Sequence, residues 1–360
     1  MPAKEATPFS LELDRRVAEG ALGTLYEKQA ENEVRCYACA HRCLIKDGLR
    51  GICKVRYNRG GTLMVPRGYV GALQCDPIEK KPFFHAFPGT DALTFGMLGC
   101  DLHCSYCQNW VTSQALRDPG ALADPMDVTP RQLVDIAQRQ GARVVATSYN
   151  EPLITSEWAV EVFKEARPRG FMTAYISNGN ATREVLEYIR PWTDLYKIDL
   201  KSFRDKNYRS LGGKLENIVN GIQMVHEMGF WLEIVTLIIP GFNDGDEELG
   251  DIARFLSGLS PSIPWHVTAF HKDYKMRDPD NTTAETLLRA ARIGEAAGLQ
   301  YIYAGNLPGR VGRYEDTRCP RCRATLIRRT GYRILEDRLT DRAICFKCRQ
   351  PIPGVWRAPI

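Results

Sequence analysis

Eleven of the twelve cysteines in this 360-residue chain fall into three short groups, and closely spaced thiols are typical of metal sites. Short gaps let one loop direct several sulfurs at a single ion or cluster. The alternative, a disulfide framework, belongs to short secreted domains and does not suit a chain of this length. The groups are Cys36, Cys39, Cys43 and Cys53; Cys100, Cys104 and Cys107; and Cys319, Cys322, Cys345 and Cys348, with Cys75 standing alone.

The central group offers three thiols, in the arrangement Cys100-x3-Cys104-x2-Cys107. Three thiolates suit three corners of a cubane [4Fe-4S] cluster and leave one iron open to a further ligand. A structural zinc site normally has four protein ligands. Since His103 lies between two of the cysteines and could not easily join them, zinc would need a distant fourth ligand. The spacing therefore favours an iron–sulfur cluster.

The two outer groups each offer four thiols, and their metals stay open. The C-terminal quartet has paired Cys-x2-Cys knuckles, Cys319 to Cys322 and Cys345 to Cys348, as in a zinc ribbon or rubredoxin. Four thiolates suit Zn2+ or a single iron, and zinc is favoured because nothing in the pattern requires redox activity. The N-terminal quartet suits either a second zinc site, which the sequence slightly favours, or an auxiliary [4Fe-4S] cluster.

Between about residues 90 and 305, short β-rich runs alternate with amphipathic segments. This alternation predicts βαβ units and a parallel sheet that closes fully or partly into a TIM-like α/β barrel, with the chemistry at the carboxyl ends of the strands. The predicted strands are 93–98, 143–148, 173–177, 195–199, 231–239, 265–269 and 301–304. The predicted helices are 130–140, 156–167, 183–189, 215–228, 247–259 and 284–297.

The cysteine groups and the alternation divide the chain into three predicted domains. Residues 1–89 hold a predicted helix at 9–32 and the N-terminal quartet, and residues 90–306 form the barrel. The Gly- and charge-rich stretch 306–318 reads as a linker into the C-terminal metal module, which occupies 307–360. The stretch Asp76–Pro88 carries no recognisable chemistry and suits a hairpin extension or a cover over the barrel mouth.

The net charge is a modest +5, but it is unevenly distributed. From Arg318 onward there are eleven lysines and arginines against three acidic residues, so the C-terminal module can contact RNA or an acidic partner. No apolar run reaches the roughly 18 residues of a membrane span, and the charged N-terminus lacks the apolar core of a secretory signal. These features predict a cytoplasmic protein without membrane contact.

The pattern Cys-x3-Cys-x-aromatic-Cys, with Tyr106 as the aromatic residue, resembles the signature of the radical S-adenosylmethionine (SAM) superfamily. The resemblance implies a [4Fe-4S] cluster on Cys100, Cys104 and Cys107 with SAM beside it. It also implies SAM contacts at successive strand ends, from Glu151 in SYNEP, Ser177 and Asn178 in SNGN, Asp199 and Lys201 in KIDLKS, and His271 in HVTAFHK. Tyr149 and Asn150 stand where the superfamily has two glycines before the acidic residue.

A narrower resemblance covers about residues 34–357. The motifs CYACAHRC, DPIEKKPFFHAFPG, GCDLHCSYCQN, GNLPG and CFKCRQPIPGVW, in that order, are similar to the radical SAM enzymes of the AmmeMemoRadiSam system, which are related to pyruvate-formate-lyase activating enzymes. This implies reductive cleavage of SAM to a 5′-deoxyadenosyl radical that abstracts hydrogen from an unidentified substrate, with glycyl-radical activation of a partner protein as the first candidate.

Other functions stay open at this point. The same radical chemistry suits modification of RNA or of a small molecule. A different class is a zinc-containing nucleic-acid-binding protein, for which the basic C-terminal module offers Tyr332, Phe346 and Trp356 among its arginines. Beyond SAM, the expected partners are a reduced ferredoxin or flavodoxin and, from the resemblance, Memo-like or AMMECR-type proteins.

Overall fold

A computed structural model describes residues 20–340 and 342–356. Its N-terminal part forms small antiparallel sheets, in the orders β1-β6-β5 and β2-β3-β4, while β7 pairs with a later strand, β10. The strands are β1 Ala21–Leu22, β2 Tyr26–Lys28, β3 Val34–Cys36, β4 Leu44–Ile45, β5 Tyr57–Arg59, β6 Thr62–Val65 and β7 Tyr69–Val70.

The predicted helix at 9–32 is wrong in its described part. Residues 9–19 lie outside the described residues, and from residue 20 onward β1 pairs with β6 and β2 with β3. Glycine is a poor helix former, and Gly20 and Gly23 flank the first strand. A Cβ atom at Gly23 would lie 2.8 Å from Val65 Cγ1, so the tight pairing of β1 with β6 requires glycine there. Pairing between distant strands thus overrides the local apolar spacing.

The centre of the molecule is an eight-stranded sheet in the order β16-β15-β14-β13-β12-β11-β9-β8. All strands from β9 to β16 in this sheet are parallel, and β8 adds an antiparallel edge. The sheet is a partial barrel, because β8 and β16 do not pair with each other. Its strands are β8 Ala72–Pro77, β9 Asp91–Gly96, β11 Val144–Thr147, β12 Met172–Ser177, β13 Leu195–Asp199, β14 Trp231–Ile238, β15 Trp265–Ala269 and β16 Ile302–Gly305, while β10 is Met126–Asp127.

Eight α-helices lie among the described residues, most of them packed on the outside of the sheet. Threonine N-caps start three of them: the Thr129, Thr182 and Thr283 side chains each accept a hydrogen bond from the first turn. The predicted barrel strands and helices are confirmed, with ends moved by at most two residues. The helices are α1 Trp110–Ser113, α2 Pro130–Arg139, α3 Ser156–Ala166, α4 Arg183–Ile189, α5 Asp205–Ser210, α6 Leu215–Glu227, α7 Asp246–Leu259 and α8 Ala284–Ala296. Across the described residues, none combines the length and apolarity needed to cross a bilayer.

A buried ion pair fixes the N-terminal part to the barrel. The two terminal guanidinium nitrogens of Arg56 donate to the Glu157 carboxylate on α3 at 2.8 Å, and Arg56 is only 1% exposed. Arg56 also donates to the Ile154 carbonyl at 3.0 Å. A buried pair of this kind tolerates no loss of one partner, since the remaining charge would be left in an apolar setting. The N-terminal part is therefore held rigidly beside α3.

The C-terminal module is a three-stranded antiparallel sheet in the order β17-β18-β19, with strands at Thr317–Arg318, Thr325–Thr330 and Arg333–Asp337. Arg329 anchors it to the barrel: this 3% exposed guanidinium donates to the Phe84 carbonyl at 2.9 Å and to Thr317 Oγ1 at 2.7 Å. One of the arginines counted in the basic C-terminal stretch is therefore structural and does not lie on the surface.

The segment 83–87 closes the barrel end away from the strand carboxyl termini. The backbone N–H groups of Phe84 and His85 donate to Glu233 of β14 at 3.0 and 2.9 Å. His85 Nδ1 donates to the Pro353 carbonyl at 2.7 Å, and its Nε2 lies 2.6 Å from Tyr303 Oη on β16. The stretch Asp76–Pro88, for which the sequence indicated no role, thus joins the barrel interior to the C-terminal module.

Candidate active site

A cavity of about 370 Å³ opens at the carboxyl ends of the parallel strands. Its volume falls within the range of small-molecule sites. Nine of the residues that the sequence singled out line it, so the structure brings together side chains that are up to 101 positions apart. These residues are Cys100, Cys104, Tyr106, Cys107, Glu151, Ser177, Asn178, Asp199 and Lys201.

The three-cysteine loop follows β9 and turns sharply at its start. Gly99 has a φ of +91°, a backbone conformation that favours glycine. Further along, the His103 ring packs onto Gly212, where a Cβ atom would lie 2.2 Å from His103 Cε1. The ring does not line the cavity. Cys107 Sγ lies 3.2 Å from Ser113 Oγ in α1, so this helix helps to position the third thiol.

The three thiols share a desolvated environment that resists their ionisation. Burial raises the pKa of Cys104 to about 11, despite the opposing effect of the Lys201 charge. Burial also raises the pKa of Cys100 and of Cys107. Thiolates form at such a site when a bound metal compensates their charge. The donor set, three thiols facing one cavity, therefore fits the cluster that the sequence predicted.

Glu151 is the most perturbed carboxyl group in the cavity. It is 2% exposed, and it accepts hydrogen bonds from Ser177 Oγ at 2.8 Å and from the Asn178 N–H at 2.7 Å. Burial, followed by the charge of Asp101, raises its pKa to about 8. No lysine or arginine among the described residues forms an ion pair with it. A bound cation is the natural partner for such a carboxylate.

Asp101 is a site residue that sequence reasoning missed. It follows the first cysteine of the loop, is fully buried, and accepts hydrogen bonds at 2.7 Å from the side-chain amides of Asn178 and Asn180. The Asn178 side chain is therefore turned towards Asp101, and its backbone N–H serves Glu151. An acidic residue directly beside a predicted ligand was the only sequence signal for this role.

Asp199 has the opposite surroundings to Glu151. Its carboxylate accepts from Lys197 Nζ and, at 3.3 Å, from Lys201 Nζ. Burial alone would raise its pKa, but the charges of the two lysines lower it to about 2. The sequence indicated Asp199 and Lys201 but missed Lys197. The three residues lie two apart at the end of β13 and just beyond it, and two is the spacing at which side chains of extended chain share a face.

A further wall of the cavity comes from outside the barrel strands. Lys81 is 5% exposed and donates to Tyr149 Oη at 2.9 Å and to Asp76 at 3.1 Å. Tyr149 adopts a φ of +63°, which is unfavourable for a bulky residue. Glycine would relieve that strain. The tyrosine that replaces it directs a ring into the cavity and so reduces its width at this side.

A second cavity, of about 930 Å³, adjoins the first between the barrel and the hairpin of the C-terminal module. Gln108 and Tyr332 line both cavities. His271 lies here and not in the first cavity, with its Nε2 3.0 Å from the Gln108 side-chain amide. Of the predicted SAM contacts it is the one that the structure keeps apart from the rest.

The C-terminal quartet forms a compact group. Cys319 Sγ lies 3.5 Å from Cys348 Sγ, and Cys322 Sγ lies 3.6 Å from Cys345 Sγ. All four sulfurs lie within 4.8 Å of one another. Two matching turns create this arrangement, each ending in an arginine with a positive φ (Arg323 and Arg349). The group can bind a single tetrahedral metal ion.

Comparison with known proteins agrees with this site. The protein-family model of the radical SAM superfamily matches residues 95–256 of the sequence. Over 306 residues the chain is 36% identical to the uncharacterized protein MJ0808 of Methanocaldococcus jannaschii, an alignment that covers 84% of this chain and 90% of that one. It is 25% identical over 209 residues to a pyruvate formate-lyase-activating enzyme of Clostridium pasteurianum, covering 53% of this chain and 84% of that enzyme.

Among solved structures, a domain of a pyruvate-formate lyase-activating enzyme from Bacteroides vulgatus aligns at 23% identity with a TM-score of 0.39, covering 45% of this chain and 98% of that domain. The chain belongs to the radical SAM superfamily of enzymes. Within that superfamily it is related to the activating enzymes of glycyl-radical proteins and, over most of its length, to MJ0808. Superfamily membership implies SAM and a [4Fe-4S] cluster as its cofactors.

Proposed function

We propose that this protein cleaves SAM reductively at a [4Fe-4S] cluster held by Cys100, Cys104 and Cys107, and that it uses the resulting reactivity to abstract hydrogen from a substrate. The observation that carries the proposal is the convergence of three thiols and two oppositely tuned carboxyl groups, Glu151 and Asp199, on one cavity. The reductant is a small electron carrier of the ferredoxin or flavodoxin type.

When bound, the cluster and SAM supply a one-electron cleavage of a carbon–sulfur bond and a reactive adenosyl carbon. The protein's own residues bind and orient. The Glu151 carboxylate would accept hydrogen bonds from the ammonium group of SAM, which would supply the basic partner that this buried group lacks. Ser177 and the Asn178 N–H hold Glu151 in place by their hydrogen bonds. Asp199 and Lys201 would contact the cofactor from their own side of the cavity, and the ring of Tyr149 would limit the access of water.

The substrate enters through the second cavity, between the barrel and the C-terminal hairpin. This cavity is continuous in its lining with the first and is the larger of the two. An opening of that size accepts a protruding peptide loop, which agrees with the relation to activating enzymes. Glycyl-radical activation of a partner protein is therefore the first candidate reaction. The motif order further supports assignment to the AmmeMemoRadiSam system, with Memo-like or AMMECR-type proteins as partners.

The central test is SAM turnover. The reconstituted protein, kept without oxygen and reduced with dithionite, is expected to convert SAM to methionine and 5′-deoxyadenosine. Cys104→Ala should abolish this turnover, because two thiolates cannot hold the cluster. Cys75→Ala is the matched control, since Cys75 lies on β8 outside the cavity lining. If Cys104→Ala still forms 5′-deoxyadenosine, the proposed site is wrong.

The candidate reaction has its own test. The active protein, SAM and dithionite are incubated without oxygen with an extract of the source cells, and the mixture is examined by electron paramagnetic resonance. Glycyl-radical activation predicts a doublet signal that requires both SAM and an intact Cys104. SAM turnover without such a signal, accompanied by a modified RNA or metabolite, would reassign the substrate and leave the radical chemistry in place.

A further inference from the structure

The C-terminal quartet shows how far apart cysteine sulfurs lie in this protein when they can bind a single metal ion. Four thiolates around one tetrahedral metal, at metal–sulfur distances of about 2.3 Å, stand roughly 3.8 Å apart. The two measured sulfur separations of 3.5 and 3.6 Å match this geometry. Among the described residues, this quartet is the one group of three or more cysteine, histidine or acidic side chains whose ligand atoms all lie within 4.8 Å of one another.

The four cysteines of the N-terminal quartet lie near one another, but their sulfurs are not as close together as those of the C-terminal quartet. A Cβ atom at Gly51 would lie 3.7 Å from Cys43 Sγ and 3.8 Å from Cys53 Sγ, so both sulfurs lie beside this glycine. The Cys36 N–H donates to the Cys43 carbonyl at 2.9 Å, which ties a third cysteine to the group. The Arg42 N–H donates to the Cys39 carbonyl at 3.0 Å, so a turn joins Cys39 to Cys43, and Cys36, Cys39 and Cys53 are all buried.

The cysteines of the central loop share this wider arrangement, since no three of their ligand atoms meet the same limit. In a cubane cluster each cysteine binds a different iron, so the sulfurs stand farther apart than around one ion. The N-terminal quartet and the cluster loop of the barrel therefore both differ from the single-ion geometry of the C-terminal quartet.

We propose that Cys36, Cys39, Cys43 and Cys53 bind a second [4Fe-4S] cluster and not a zinc ion. With four protein thiolates this cluster has no open iron, so it does not bind SAM. Its loop touches the central loop directly: a Cβ atom at Gly99 would lie 2.9 Å from the Cys53 carbonyl oxygen. Arg117 joins the two loops by donating to the Ile52 carbonyl at 2.5 Å and to the Leu102 carbonyl at 3.1 Å.

Iron, sulfide and zinc analysis of the full chain, reconstituted without oxygen, tests the proposal. We expect about eight irons per chain, and about four in a variant with Cys100, Cys104 and Cys107 all changed to alanine. After dithionite reduction, that variant should still show a [4Fe-4S]+ resonance, and SAM should not alter it. About four irons in the full chain and none in the variant, with zinc retained in both, would overturn the proposal.

A single substitution within the quartet tests the same point with less risk of misfolding. Cys43→Ala removes one of the four thiols and should cost the protein about four irons, while the resonance that responds to SAM persists. Cys75→Ala is the matched control, because Cys75 lies on β8 and belongs to none of the three cysteine groups. Full iron content in Cys43→Ala would count against a cluster there. Eight irons with no response to SAM would leave this proposal standing and reject the proposed function.

Discussion

Two carboxyl groups line the same cavity and differ in what balances their charge. Asp199 lies between Lys197 and Lys201, and its pKa is lowered to about 2, whereas Glu151 lacks a basic partner and has a pKa of about 8. The charge of Asp199 is thus balanced by lysines of the protein itself. A charge on Glu151 would be balanced only by a bound cation. The comparison therefore distinguishes residues that stabilise the empty site from a residue that binds a ligand.

The largest expected effect is the pH dependence of stability that Glu151 causes in the protein without cofactors. Between about pH 4.5 and pH 8 the folded protein retains a proton on Glu151 that the unfolded chain has released. The free energy of unfolding should therefore fall as pH rises through this window, by on the order of 5 kcal/mol. Chemical denaturation of the wild type and of Glu151→Gln across this range measures the difference, and equal slopes would contradict the assignment.

Asp199→Asn should act through the two lysines. The substitution leaves Lys197 and Lys201 without a counter-charge, and we expect a loss of roughly 2–3 kcal/mol of stability at pH 7. This is less than the usual cost of breaking a buried ion pair, because solvent in the cavity screens the two lysine charges. Asp280→Asn is the control, since its pair with Lys272 is exposed to solvent and should contribute far less to stability. Equal losses in the two variants would mean that the lysine pairing contributes nothing.

Glu151→Gln should also weaken SAM binding, because a neutral amide replaces the group that accepts the ammonium. A charge-assisted hydrogen bond contributes about 2 kcal/mol, so the dissociation constant should rise roughly 30-fold. Equilibrium binding to the reconstituted protein gives the value. Glu161→Gln, on the exposed face of α3, serves as the control and should leave the affinity unchanged. Unaltered binding in Glu151→Gln would remove Glu151 from the proposed SAM site.

The smallest effect concerns the hairpin of the C-terminal module. Tyr332→Ala should raise the KM for the substrate by several-fold, about 1 kcal/mol, since its ring lines both cavities. SAM cleavage in the absence of substrate should not change. Phe346→Ala provides a matched control, because both aromatic residues belong to the module and both are 42% exposed. The same KM in both variants would show that the hairpin does not contact the substrate.

Much of the barrel could be predicted from sequence, because its signals are local. The strand at 195–199 and the helix at 183–189 have the predicted ends, since apolar runs and the Thr182 cap act over a few residues. The cavity could be expected from the rule that strand carboxyl ends carry the chemistry. These parts of the fold are determined by residues that lie close together in the sequence.

The remaining features depend on contacts between distant residues. Nothing near Lys81 indicates that it meets Tyr149, and the strand pairing of Tyr26–Lys28 overrides an apolar spacing that suggests a helix. His271 follows its strand as expected, but the chain then leads its side chain to the neighbouring cavity. Sequence spacing predicts which strand end a residue occupies, but it does not predict the direction in which a loop turns afterwards.

The hydrogen bond from His85 to the Pro353 carbonyl spans 268 positions and has a consequence for synthesis. In a chain growing on the ribosome, residues 83–87 must wait until residues 353–355 have been made before Val355 can pair with them. Native contacts across such a span slow folding, because the intervening loop must first be closed. The barrel is therefore expected to assemble its strands early and to seal its lower end last.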